Sequence, residues 1–254
     1  MTFCLGMKLK DGLVALADTR ITSGVERSTA RKVTVHQHGE HSLFVMTSGL
    51  RSVRDKALTY FTETMTGEAA RCDRLYKAVN AFAGQVRRVE IEDGKALRKS
   101  KLRFDLYTLI GGQLESDVEH QLFLIYPEGN WVEIGPGTPY SMIGESLYAK
   151  PLIDRALHYE DSLERALRIA YLGFDATRVS AVDVDFPIDV VVYRANSYVI
   201  HEERFQAPML APLSDFWMRE VRALVDRVPS DALDAMVRRL DESIKNRNGS
   251  GSVP

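Results

Sequence analysis

Cysteine is nearly absent from this chain. Two residues, Cys4 and Cys72, among 254 form no disulfide framework and no paired ligand spacing. Cys4 lies inside an apolar run and reads as a buried free thiol. A reducing, cytoplasmic setting is the corresponding expectation. Long apolar runs are missing too. The longest, around Leu122–Tyr126 and Val190–Tyr193, are strand-sized, far short of the roughly 18 residues that suggest a membrane span. No signal peptide is legible, because Lys8, Lys10 and Asp11 interrupt the first apolar run before an h-region forms. Nor is there an excess of positive charge: 33 Lys and Arg against 35 Asp and Glu give a net −2, which argues against a nucleic-acid footprint. Gly111-Gly112 lacks the glycine spacing and following helix of a phosphate-binding loop. Any ATP-driven unfolding of a substrate would therefore need a separate partner. His36-x-His38-x-x-His41, with Glu40 in reach, reads as a solvated hairpin rather than a metal site. No cofactor, metal, nucleic acid or membrane is expected.

What is present is an apolar N-terminus, Met1-Thr2-Phe3-Cys4-Leu5-Gly6-Met7, paired by pattern with Leu13–Ala17 across a Lys10-Asp11-Gly12 turn. Thr19 to Arg31 is polar and reads as a loop or ragged extension. A second hairpin, Lys32–His36 with Ser42–Thr47, is broken by Ser48-Gly49, after which Val53, Ala57, Phe61 and Met65 recur at helical spacing. A second helix is expected over about 69–91 and a basic connection over 94–103, carrying Lys95, Arg98, Lys99, Lys101 and Arg103. Strands follow at 104–110, 121–126 and 131–134. Gly144-Glu145-Ser146 marks another strand-to-helix break, with Pro151 in the next helix's first turn. Asp161-x-x-Glu164 has the form of a capping box for a further helix. A last hairpin (188–193 with 197–202) precedes two charged amphipathic helices, about 213–227 and 230–246, and a polar tail. Strands, two helices, strands, two helices, strands suit an α+β fold: a four-layer αββα sandwich with antiparallel sheets. One domain over 1–246 is expected, with about 205–246 as a helical extension.

The chemistry converges on Thr2. A threonine hydroxyl needs a base to become a nucleophile. A chain-terminal α-amino group, with a reference pKa of about 8, is a suitable base near neutral pH. Were Met1 removed, one residue would supply both. A nearby lysine cation would keep the amine neutral, an acidic partner would fix the lysine, and a backbone N–H at a tight turn would stabilise the oxyanion. Lys32, Asp18 and Gly49 are the candidates for these roles.

The joint pattern resembles the proteasome β-subunit family, most closely its bacterial relative Anbu. It rests on the Thr2 strand, Ala17-Asp18-Thr19-Arg20, Lys32, Thr47-Ser48-Gly49, the run Leu109–Gly112 with Leu122–Gly129, and Ile143–Ala149. The resemblance covers residues 2 to about 203. It implies the N-terminal-nucleophile hydrolase fold, cleavage of peptide bonds in a peptide or unfolded protein, and a homo-oligomer of many subunits. It assigns Thr2 as nucleophile and base, Lys32 and Asp18 as its ion pair, Gly49 as oxyanion donor and Ser146 as a hydroxyl near the amine. Arg20, a member of a structural ion pair, is placed near the substrate pocket with Thr22 and Met46. Proteasome subunits carry a Gly-Ser-Gly-Ser turn and an Asp-x-x-Ser-Gly motif. Here the first reads Gly144-Glu145-Ser146, and the second is not recognisable around Ser180–Asp185. That departure keeps two other readings in view: a scaffold or binding cage on the same fold, and an amidase for a small molecule.

Overall fold

The computed structural model describes residues 2–23, 26–66 and 72–249, with backbone alone for residues 21–23, 26–28, 66, 248 and 249. In chain order the elements are β1 (Phe3–Leu9), β2 (Gly12–Asp18), β3 (Arg20–Ser23), β4 (Glu26–Thr29), β5 (Val33–His38), β6 (His41–Gly49), α1 (Arg51–Thr66) and α2 (Leu75–Lys99). Then come β7 (Leu106–Gln113), β8 (Gln121–Ile125), β9 (Trp131–Glu133), β10 (Tyr140–Gly144), α3 (Lys150–Ala156), α4 (Leu163–Ser180), β11 (Ile188–Arg194), β12 (Ile200–Phe205), α5 (Ala207–Asp226) and α6 (Asp231–Gly249). The chain divides into two units, Met1–Ala211 and Pro212–Pro254.

Two five-stranded sheets, ordered β10-β1-β2-β11-β12 and β5-β6-β7-β8-β9, are antiparallel throughout. Residue alternation assigns their faces. Phe3, Leu5, Met7 and Leu9 of β1 join Ile153 of α3 and Ala166, Ala170 and Phe174 of α4 in one core. Leu43, Val45, Leu106 and Ile110 of the second sheet join Val53, Phe61, Phe82 and Val86 of α1 and α2 in another. Between the sheets lie Cys4, Ala15 and Ala17 against Phe44, Met46, Leu109 and Leu122. Cys4, Ala15 and Ala17 leave room there for the larger side chains of the second sheet. The result is the αββα sandwich expected from the element order.

Several local expectations are corrected. Residues 20–23 and 26–29 pair as a two-stranded ribbon, β3 against β4, where a loop or ragged extension is expected. The second helix is displaced along the chain to Leu75–Lys99, and most of the expected basic connection is its last turns. Lys, Ala, Leu and Arg are good helix formers, and Leu97 packs on the helix-side core, so the amphipathic stripe continues past Gly94. The start of that expected helix, from Ala69 to Arg71, lies outside the described residues. The cap of α4 is Ser162, whose hydroxyl accepts from the Arg165 N–H at 3.2 Å; Asp161 instead accepts from the His158 N–H. β12 begins at Ile200, not residue 197, because Asn196 (φ 60°) and Tyr198 (φ 53°) turn the chain first. The first C-terminal helix starts at Ala207 and continues through Pro212.

Candidate active site

β1 enters the fold directly after Thr2 and runs between β2 and β10. The Thr2 carbonyl accepts from the Glu145 N–H at 2.6 Å, which extends the Phe3–Gly144 pairing by one step. Cys4 faces the layer between the sheets, so the two-residue period places Thr2 on that same face at the strand's open end. Thr2 itself is half-buried.

Asp18 ends β2, directly beside Phe3. Its Oδ1 accepts from the Phe3 N–H at 2.7 Å and from Lys32 Nζ at 2.6 Å. Both partners of the ion pair are buried, with side-chain exposures of 3% for Lys32 and 0% for Asp18. Lys32 precedes β5, and its carbonyl accepts from the Thr47 N–H, which seats it beside β6. The second carboxylate oxygen of Asp18 is buried and has no partner among the described residues. Burial pushes the Asp18 carboxyl above the usual carboxylate range, against the Lys32 charge and the hydrogen bonds from Lys32, Phe3 and Arg20. Burial likewise pushes the Cys4 thiol up, opposed by the Lys32 charge, so Cys4 is an inert neutral group under the site.

Gly49 closes β6 at φ +142°, where a Cβ would collide with the Asp105 carbonyl. Gly144 closes β10 at φ +87°; a Cβ there would fall on the Thr2 carbonyl and come within 3.2 Å of Ser48 Oγ. Both turns therefore require glycine. Ser146 is half-buried two residues further on, and its carbonyl accepts from the Lys150 N–H at the start of α3.

The residues expected near a substrate pocket are not placed alike. Arg20 pairs with Asp185 at 3.0 Å and donates to the Val182 carbonyl at 3.0 Å. Met46 is fully buried between the sheets. Thr22 is in β3, and its side chain lies outside the described residues. A cavity of about 410 Å³ is lined by Thr29, Ala30, Arg31, Asp189, Glu202 and Arg204. Buried Asp189 accepts a two-pronged contact from Arg204 (2.6 and 2.8 Å) and lies opposite Ala17 in the sheet. Arg31 is paired with Glu202. Sequence reasoning missed Asp189 and Ser48; strand alternation was the signal for Ser48, since Phe44 and Met46 before it face between the sheets.

Among the described residues no group of three or more His, Cys, Asp or Glu is arranged to hold a metal. In the histidine cluster, burial lowers the pKa of His36, which packs edge-on against Phe61 at 5.5 Å, and His41 lies 3.6 Å from Glu115.

No model of a known protein family matches the chain, and no curated protein matches it. Solved structures do. The chain is similar to Anbu (ancestral beta-subunit) from Yersinia bercovieri at 29% identity and TM-score 0.82, over 90% of this chain and 98% of that one. It is similar to the protein in the helical assembly of the Anbu complex from Pseudomonas aeruginosa at 29% identity and TM-score 0.85, with 90% and 98% coverage. A Gly-1 mutant of Anbu from Hyphomicrobium sp. strain MC1 is 28% identical at TM-score 0.82, with 90% and 99% coverage. With a strand that enters the sheet directly after Thr2, a two-sheet sandwich between helix pairs, and likeness over nearly the full length of these chains, the protein is similar to the Anbu (ancestral beta-subunit) proteins and shares their fold.

Proposed function

We propose that the chain is an N-terminal threonine peptidase that cleaves peptide bonds in the cytoplasm as a homo-oligomer, once Met1 is removed. The buried Lys32–Asp18 pair carries the reading. Its carboxylate also holds the Phe3 N–H, so the cation is anchored next to the chain's first residues. An ion pair this deeply buried gives uncertain benefit to stability. It has a chemical use beside an amine, because a fixed cation favours the neutral, proton-accepting form.

In this reading Thr2 Oγ attacks the substrate carbonyl carbon and passes its proton to its own α-amino group. The new ammonium protonates the leaving nitrogen as the C–N bond breaks, and water then hydrolyses the ester. The Gly49 N–H serves the oxyanion, and Ser146 stands at the mouth of the site. Arg20 and Thr22 take part in shaping the substrate side, and fully buried Met46 packs behind it.

The homo-oligomer reading is supported by the helical assembly named for the Pseudomonas aeruginosa protein. It is also supported by apolar side chains left exposed on α5 and α6, Phe216, Met218, Leu224, Met236 and Leu240 among them. No helix among the described residues is long and apolar enough to cross a membrane.

The test is intact mass of natively expressed protein together with peptide hydrolysis. The expected mass lacks Met1, an electrophile selective for N-terminal threonine labels Thr2, and Thr2→Ala abolishes hydrolysis. Full activity in Thr2→Ala would overturn the reading.

A further inference from the structure

The threonine reading leaves the amine short of a partner. Thr2 carries a hydroxyl and a terminal nitrogen at one spot, and an ammonium there has three donors to satisfy. Ser146, the hydroxyl suggested by the resemblance, follows a turn whose backbone is committed to Thr2 and α3. A second hydroxyl lies on the opposite sheet.

Ser48 is two residues after Met46 and four after Phe44, both buried between the sheets, so alternation points Ser48 into the same layer. It comes at the strand's open end, where the layer meets solvent and Ser48 is half-buried. A single point on Gly144 locates it: a Cβ built there would fall on the Thr2 carbonyl oxygen and 3.2 Å from Ser48 Oγ. Glycine at 144 thus leaves open the space in which Thr2 and Ser48 approach each other. Among the described residues the Ser48 hydroxyl has no hydrogen-bond partner. Thr47, its neighbour, faces the opposite side and pairs in register with Thr108.

We propose that Ser48 is a positioning residue for the terminal base, its hydroxyl accepting a hydrogen bond from the Thr2 α-amino group. The role is not that of a proton carrier: Ser48 neither gains nor loses a proton over the cycle. It fixes the direction of the amine, so that the proton taken from Thr2 Oγ is held where the leaving nitrogen will be.

The inference rests on the threonine reading for its use, yet it is measured without catalysis. The rate at which a small acylating reagent modifies the α-amine, followed against pH in the full-length protein, gives the amine's pKa. Removing an acceptor from an ammonium lowers that pKa. Ser48→Ala is expected to lower it by about half to one unit, the size of one hydrogen bond. Ser48→Thr should restore it, and Ser146→Ala should leave it in place. In peptide hydrolysis, Ser48→Ala is expected to lower kcat roughly 10- to 100-fold with KM unchanged. An amine pKa that is the same in wild type and Ser48→Ala overturns the proposal, as does a shift found in Ser146→Ala instead. A shift in Ser48→Ala without hydrolysis by wild type upholds the contact and removes the peptidase reading. Hydrolysis with no effect of Ser48→Ala does the reverse, and a retained Met1 removes both.

Discussion

At the scale of single residues, the Lys32–Asp18 pair makes the sharpest demand. Removing Lys32 strands a buried carboxylate, a loss of about 3–5 kcal/mol when such a pair is broken. Lys32→Met, which keeps the stem's volume, should therefore lower unfolding free energy in denaturant titration by that order. The pH dependence has a definite sign. Burial already raises the folded-state pKa of Asp18 above its unfolded value, and Lys32 is the chief influence holding it down. A raised carboxylate contributes stability below its unfolded pKa and loses it as pH rises through the folded value. The deficit of Lys32→Met relative to wild type should thus be smallest near pH 4 and grow toward pH 8. A deficit that does not change across that range would mean the carboxylate is not the stranded group. Gly144 makes a second demand. With φ at +87° and the Thr2 carbonyl where a Cβ would sit, Gly144→Ala should cost at least the roughly 1–3 kcal/mol of a strained backbone position. It should also slow labelling of Thr2. Thermal melts and labelling rates check the two parts.

At the scale of elements, the terminal strand is fastened from the helix side by Phe174 of α4. Its ring meets Phe3 edge-on at 5.9 Å and Phe186 at 5.0 Å, and it is fully buried. Phe174→Ala should cost about 3–5 kcal/mol in denaturant unfolding, and it should loosen the start of β1 in hydrogen exchange ahead of the second sheet. On the other face, Glu92 of α2 gathers Lys56, Arg88 and Tyr60 and stitches α2 to α1, which holds its carboxyl down at about 2. A depressed carboxylate contributes stability above its unfolded pKa and loses it as pH falls through the folded one. The Glu92→Gln difference should fade between about pH 4.5 and 2, read by melts across that range. Much of this architecture is legible in sequence, because strand-length apolar runs bounded by turn residues mark β1, β2 and β6, which are buried on both faces of the stack. Asp18, Lys32 and Gly49 are legible because each stands where a strand ends. The β3–β4 ribbon is not, since its short polar strands pair with each other and neither belongs to a five-stranded sheet. The reach of α2 past Gly94 is hidden by a run of charges that a helix tolerates as well as a loop does. Ser48 is written in the alternation of Phe44 and Met46, but its nearness to Thr2 depends on how two sheets stack, which no local pattern specifies.

At the scale of the whole molecule, the described surface is uneven. Over the first unit, large exposed apolar side chains are scattered, whereas α5 and α6 carry Leu213, Phe216, Val221, Leu224 and then Leu233, Met236, Leu240, Ile244 at intervals of three to five residues. That is the spacing of an apolar stripe, which in water needs a partner. The assembly proposed above supplies one in further copies of the chain. A carboxylate set into such a stripe opposes burial far more than it disturbs an exposed helix surface. The double variant Leu224→Glu, Leu240→Glu, made in the full chain, should therefore lower the assembly's mass in sedimentation velocity. The melting of the first unit should stay within a few degrees of wild type, because none of its core residues is altered. If the variant keeps the wild-type mass, the stripe does not hold copies together, and the subunit contacts must be sought on the sandwich itself.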